Sequence, residues 1–194
     1  MNKKDVFLFD IIKKASKEKE HQWETFYKLI DKEISSAVPI TFDGLAALDA
    51  RDGDNFVITI ERDTEFDFNP KIVLNGKKIT LTIRGSGNLG SSVEDVTFPG
   101  GDKPLFKIGK GAVLILENIA IKTKSLIRMI NGCVVQLNGG ILVFKHSVII
   151  NECYMGGSNQ HIFPDSPPSF TLGKTITGMY CDIVTGNGKS IVCN

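Results

Sequence analysis

Four acidic residues, Glu61, Asp63, Glu65 and Asp67, alternate strictly with other residues. On an extended strand they share one face, and oxygen ligands grouped in that way can seat a calcium ion. The plainer reading is a solvated edge strand whose charges stop it pairing sideways. A second set of residues is basic. Lys107 stands 21 positions before Arg128, and Lys124 stands 21 before Lys145. If 21 residues make one structural repeat, these four side chains form an outward ladder of cations. Stacked like charges repel unless an anion or a carboxylate lies across them. The ladder, with Arg128 at its centre, therefore points to an acidic glycan or an acidic protein surface. The bland alternative is a set of lysines that keep a flat face soluble.

Other sharp motifs fail. Gly109-Lys110-Gly111 lacks the frame and the following helix of a phosphate loop. His146 has no nucleophile placed beside it by sequence. Cys133, Cys153, Cys181 and Cys193 include no close pair, and none has histidine at metal-ligand spacing. Cys133 reads as a small buried hydrophobe; Cys153 lies about one repeat later, which brings the two backbones near enough for a disulfide if they stack, although stacked neighbours fit its geometry poorly. No cofactor and no catalytic residue are expected.

The elements that must position these residues are read from 105 to 144. LFKIGKGAVLILENIAIKTKS and LIRMINGCVVQLNGGILVFK overlay at 21 residues, so that Leu114 meets Val135, Leu116 meets Leu137 and Gly111 meets Gly132. Alternating apolar residues make both copies strands. Short strands separated by glycine turns, repeated at this length, predict a solenoid. In it Glu117 would stack on Asn138. Upstream, Ile79–Ile83 (ITLTI) places Leu81 where Leu114 sits and Ile83 where Leu116 sits, 33 residues on. Residues 85–104, rich in glycine and serine, are then an inserted loop that projects from the coil.

Residues 1–38 carry a helical stripe of Val6, Phe9, Ile12, Trp23, Phe26, Tyr27, Ile30 and Ile34. They are expected to cap the exposed apolar end of the first coil, and Pro39 ends them. The Trp23 helix is alternatively a self-association surface. Residues 39–194 make up the strand domain, whose closure over 170–194 is left open between last coils and a β-rich cap.

The phrases KKITLTIRGSG, LFKIGKGAVLILENIAIK and LIRMINGCVVQLNGG resemble the coils of bacterial pectin-lyase-like right-handed β-helix proteins, in particular repetitive surface proteins of spirochaetes and gut bacteria. The resemblance covers about residues 56–150. It implies an all-β, single-stranded right-handed parallel β-helix and a cell-surface or secreted location, although the start of the chain reads as carrying no export signal. It also implies, as an alternative activity, a polysaccharide lyase or glycoside hydrolase; no lyase motif matches residue by residue.

The 194 residues carry 23 basic and 22 acidic side chains, a net charge of +1, so no overall field draws nucleic acid or a membrane surface. No apolar run approaches the roughly 20 residues of a membrane span. The expected function is a non-enzymatic binding module or surface scaffold, possible partners being an acidic glycan or protein. A lyase or hydrolase and a structural subunit of a larger assembly are the alternatives.

Overall fold

Every residue from Val113 to Leu116 is apolar, and such a strand is satisfied only when both of its faces are covered. The computed structural model describes residues 7–15, 23–46, 49–87, 93–100, 105–124, 135–150, 155–156, 160–164, 181–184 and 190–193. In it that stretch opens β8 (Val113–Thr123), the longest strand, and apolar partners lie on both sides.

Around β8 the strands form one large sheet. Its order runs β1 (Val38–Pro39), β2 (Asn55–Ile60), β5 (Thr80–Gly85), β8, β10 (Ile141–Ile150), β12 (Gln160–Pro164), β13 (Cys181–Val184) and β14 (Ser190–Cys193). All of these pairs are parallel except the last, β13 with β14. Two further strands, β3 (Thr64–Glu65) and β6 (Glu94–Phe98), join through the second half of β8. A separate four-stranded parallel sheet runs β4 (Ile72–Leu74), β7 (Phe106–Gly109), β9 (Val135–Asn138) and β11 (Met155–Gly156).

The large sheet is curled, and the smaller one lies across its hollow. Leu81, Ile83, Leu114, Leu116 and Leu142 from one side meet Ile72, Leu74, Phe106 and Ile108 from the other in a single buried cluster. Phe98 anchors one part of it, with its ring stacked on Phe66 at 5.2 Å and edge-on to Phe42 at 5.7 Å. Phe42 comes from a short helix, α3 (Phe42–Ala46), whose first turn is capped by Thr41 Oγ1 accepting the Gly44 N–H at 3.1 Å.

The outer face of the large sheet carries a second cluster. Val113, Ile115, Ile141 and Val143 meet Leu8, Phe9 and Ile12 of α1 (Leu8–Ala15) and Ile30 and Ile34 of α2 (Trp23–Ser36). The apolar stripe at spacings of three and four thus lands on a sheet face. Lys78 pins the start of α1, pairing with Asp10 while its ammonium sits 4.7 Å above the Phe7 ring.

These facts correct the expected right-handed β-helix with an end cap. Leu114 pairs with Leu142, 28 positions on, and Phe106 with Val135, 29 on. The 21-residue overlay compared strands of different sheets: Leu114 lies in β8 of the large sheet and Val135 in β9 of the small one. Both carry apolar residues at every second position, and that spacing does not say which sheet a strand joins. The strands instead form a curled, largely parallel sheet that ends in an antiparallel pair. The helices cover its face, because that face is itself apolar. Gly111 does turn with φ of +98°, where a side chain is strained; Gly132, its expected counterpart, lies outside the described residues.

The projecting loop at 85–104 also needs correction. Within it Glu94–Phe98 is strand β6, held between β3 and β8, with Val96 and Phe98 fully buried. Glycine and serine on either side concealed that short alternation. Phe98→Ala is expected to cost about 3–5 kcal/mol, as for large core aromatics. Urea denaturation checks this; a change below about 0.5 kcal/mol would return the segment to a surface loop.

Candidate functional site

Strand pairing brings Thr59, Arg84, Glu117 and Lys145 into one row across the outer face of the large sheet. Thr59 is the register partner of Arg84, Arg84 of Glu117, and Glu117 of Lys145. Neighbouring strands lie about 4.8 Å apart, so cation, carboxylate and cation alternate at close quarters. The row marks the limit of the helix-covered apolar face.

Just beyond it the sheet bends. Asn118 takes φ of +49°, a left-handed conformation that asparagine tolerates better than most side chains. Opposite it β10 carries one extra residue, since Lys145 pairs with Glu117 while Val148 pairs with Ile119. Such a bulge bends a strand and re-aims its side chains. On the other flank Gly85 is buried against the Asn118 carbonyl and the Glu94 carboxylate, where a Cβ would overlap both oxygens. The chain then leaves the sheet through Ser86 and Gly87 and returns at Glu94.

The bend and the row together enclose a cleft of about 380 Å³. Arg84, Thr59, Ser86, Asn118, Glu117 and Lys145 line it, with the backbone of Gly85 and Gly87. Arg84 Nε donates to Thr59 Oγ1 at 3.3 Å. Ser86 Oγ donates to the Glu61 carbonyl at 3.1 Å and lies 3.4 Å from Glu94 Oε1. Asn118 Nδ2 donates to the Gly87 carbonyl at 3.3 Å, which ties the exit of the chain to the bend.

Lys145 is the most buried charge here, its side chain 11% exposed. Its Nζ lies 2.8 Å from Glu117 Oε1 and 2.6 Å from Asp31 Oδ1 of α2. Burial by itself disfavours the charged ammonium. The hydrogen bonds to Asp31 and Glu117, with the attraction of both carboxylates, outweigh it and leave the pKa above the usual 10.5.

The residues singled out by sequence are not gathered in this way. Lys107 sits half-exposed on β7 between the positions of Val73 and Gln136, and Arg128 lies outside the described residues. Lys124 follows β8 and pairs with Glu65, whereas Lys145 is opposite Glu117. The two lysines therefore do not stack, and each meets a carboxylate. Glu117 stacks on Lys145 and Arg84; Asn138, its expected neighbour, pairs with Gly109 in the other sheet. Glu61, Asp63, Glu65 and Asp67 are all exposed, while Phe66, between the last two, and Phe68, just after them, pack against the core. Asp63 Oδ1 accepts the Asp95 N–H at 2.8 Å and Glu65 holds Lys124. Among the described residues no three His, Cys, Asp or Glu side chains converge as a metal site. Arg84, Thr59, Ser86 and Asp31 were not anticipated as site residues. Glu117-Asn118, a polar pair interrupting the apolar run VLILENIAI, is the signal that marks the bend.

Fold and site together define a curled parallel-sheet protein with two helices on its outer face and a polar cleft where the sheet bends. Compared with family models, with curated proteins and with solved structures, the chain matches none. Among the described residues no helix is long and apolar enough to cross a membrane.

Lys145→Ala takes the ammonium away from the largely buried Glu117 carboxylate and leaves Arg84 as its cationic neighbour across the strands, and is expected to cost roughly 3 kcal/mol. Because its pKa is raised on folding, the stabilisation by Lys145 is complete below the ordinary value of 10.5 and is lost as pH climbs through the higher folded value. Denaturant midpoints measured from about pH 9 to pH 12 should show an alkaline loss in the wild type that is smaller in Lys145→Met.

Proposed function

We propose that this chain is a non-enzymatic binding module and that the cleft at the sheet bend receives an acidic glycan. The observation that carries the reading is the setting of Arg84. Its Nε is tied to Thr59, and among the described residues its two terminal nitrogens have no hydrogen-bond partner, on a wall of the cleft. A guanidinium fixed by one edge keeps a planar fork for a carboxylate. Ser86 and Asn118 beside it supply a hydroxyl and an amide of the kind that sugar hydroxyls bind. The partner class anticipated from the basic ladder is thus kept, and its place moves to Arg84.

The other charges favour holding a ligand over transforming it. Lys145 is bracketed by Asp31 and Glu117, a pairing that fixes positions and holds the ammonium charged. A lysine so held is a poor proton acceptor.

Calorimetric titration with galacturonate oligomers is expected to show binding that Arg84→Gln weakens about tenfold or more, as befits a hydrogen bond to a charged group worth roughly 1.5–3 kcal/mol. Neutral galactose oligomers serve as the comparison. Equal affinity for both sugars, or no effect at Arg84, contradicts the ligand class. New reducing ends or unsaturated uronate products contradict the non-enzymatic reading.

A further inference from the structure

We infer that the cleft is linked to helix α2 through Lys145, so that an anion entering the cleft competes with Asp31 and loosens the helix from the sheet. The inference rests on the anion-binding reading of the cleft. Lys145 lines the cleft and also holds α2 through its 2.6 Å contact with Asp31.

The two carboxylates that share this ammonium are not equally placed. Glu117 has a side chain 13% exposed and sits within β8, paired on both flanks by strands. It has nowhere to withdraw. The Asp31 side chain, on helix α2, is 58% exposed. Water replaces Lys145 around this exposed carboxylate at small cost, and the entering anion takes its place at the buried ammonium.

Charge balance sets the direction. Among the described residues Arg84 and Lys145 face Glu117 and Asp31, with the Glu94 carboxylate behind Ser86 and Gly85, so the cleft holds no surplus of positive charge. An added carboxylate brings an unmatched negative charge. It gains from Arg84 and Lys145 and is repelled by Glu117 and Asp31, and Asp31 is the group able to leave. Linkage makes the effect reciprocal: removing the Asp31 charge strengthens anion binding by the factor by which the anion weakens the Asp31 contact.

The test uses galacturonate oligomers as the probe on the full chain. Asp31→Asn is expected to bind them about fivefold or more tightly than the wild type. Asp43→Asn, an equal charge change at an exposed position on α3, is expected to leave affinity unchanged. Hydrogen exchange of the wild type supplies a readout that needs no variant: adding oligomer should speed exchange at the amides of α2. Affinity in Asp31→Asn equal to or below wild type, or α2 amides unmoved or more protected, overturns the link. If Arg84→Gln still abolishes binding in that case, the cleft reading survives alone. Absence of binding to both wild type and Asp31→Asn overturns the two together.

Discussion

The first half of β8 has apolar residues facing both ways, and the rest of the structure follows from the need to cover them. Leu114 and Leu116 turn into the hollow between the sheets, while Val113 and Ile115 turn outward under α1 and α2. A strand buried on both faces belongs inside a parallel sheet, with neighbours at each edge and a layer above and below. β5 and β10 supply the edges, the four-stranded sheet one layer and the helices the other. The helices are therefore part of the core. Their stripe and the outward residues of the sheet are complementary halves of one apolar contact.

The cleft exists because that burial stops at a definite row. Beyond Ile115 and Val143 the next outward positions on the same strands are Glu117 and Lys145. Charges at the margin of an apolar layer are tolerated only when matched, and the sheet matches them by pairing opposite signs across strands. Asn118 then turns the chain, Gly85 gives it room, and the strands part from their straight course. Polar side chains, a bend and the rim of a helix layer coincide, leaving a concavity lined with donors and acceptors.

Part of this was legible in the sequence. Leu81 opposite Leu114 and Ile83 opposite Leu116 are register partners as the spacing of 33 had them, because ITLTI and VLILE offer few other alignments. The glycine turn at 111 was legible for the same local reason. The closed winding was not, since the overlay at 21 joined β8 to β9, strands alike in pattern yet in different sheets. Nor was the site. The pairing of Arg84, Glu117 and Lys145 depends on a register accumulated over three strands with connections of unequal length, and Asp31 reaches Lys145 only because α2 lies on the sheet. Charged residues at a separation of 21 look like a ladder; the strands place carboxylates between them.

The short first strand has a bearing on how the molecule meets other chains. The Ile40 N–H donates to the Val57 carbonyl at 2.9 Å, so the alternation of backbone groups aims the nitrogen of Pro39 away from β2 and toward the border that no other described strand covers. Proline has no hydrogen to offer there. A foreign strand arriving at that border finds an acceptor without its companion donor, and the ladder cannot be prolonged past Pro39. Where the described sheet begins, Pro39 thus withholds one of the backbone donors that an added strand would use.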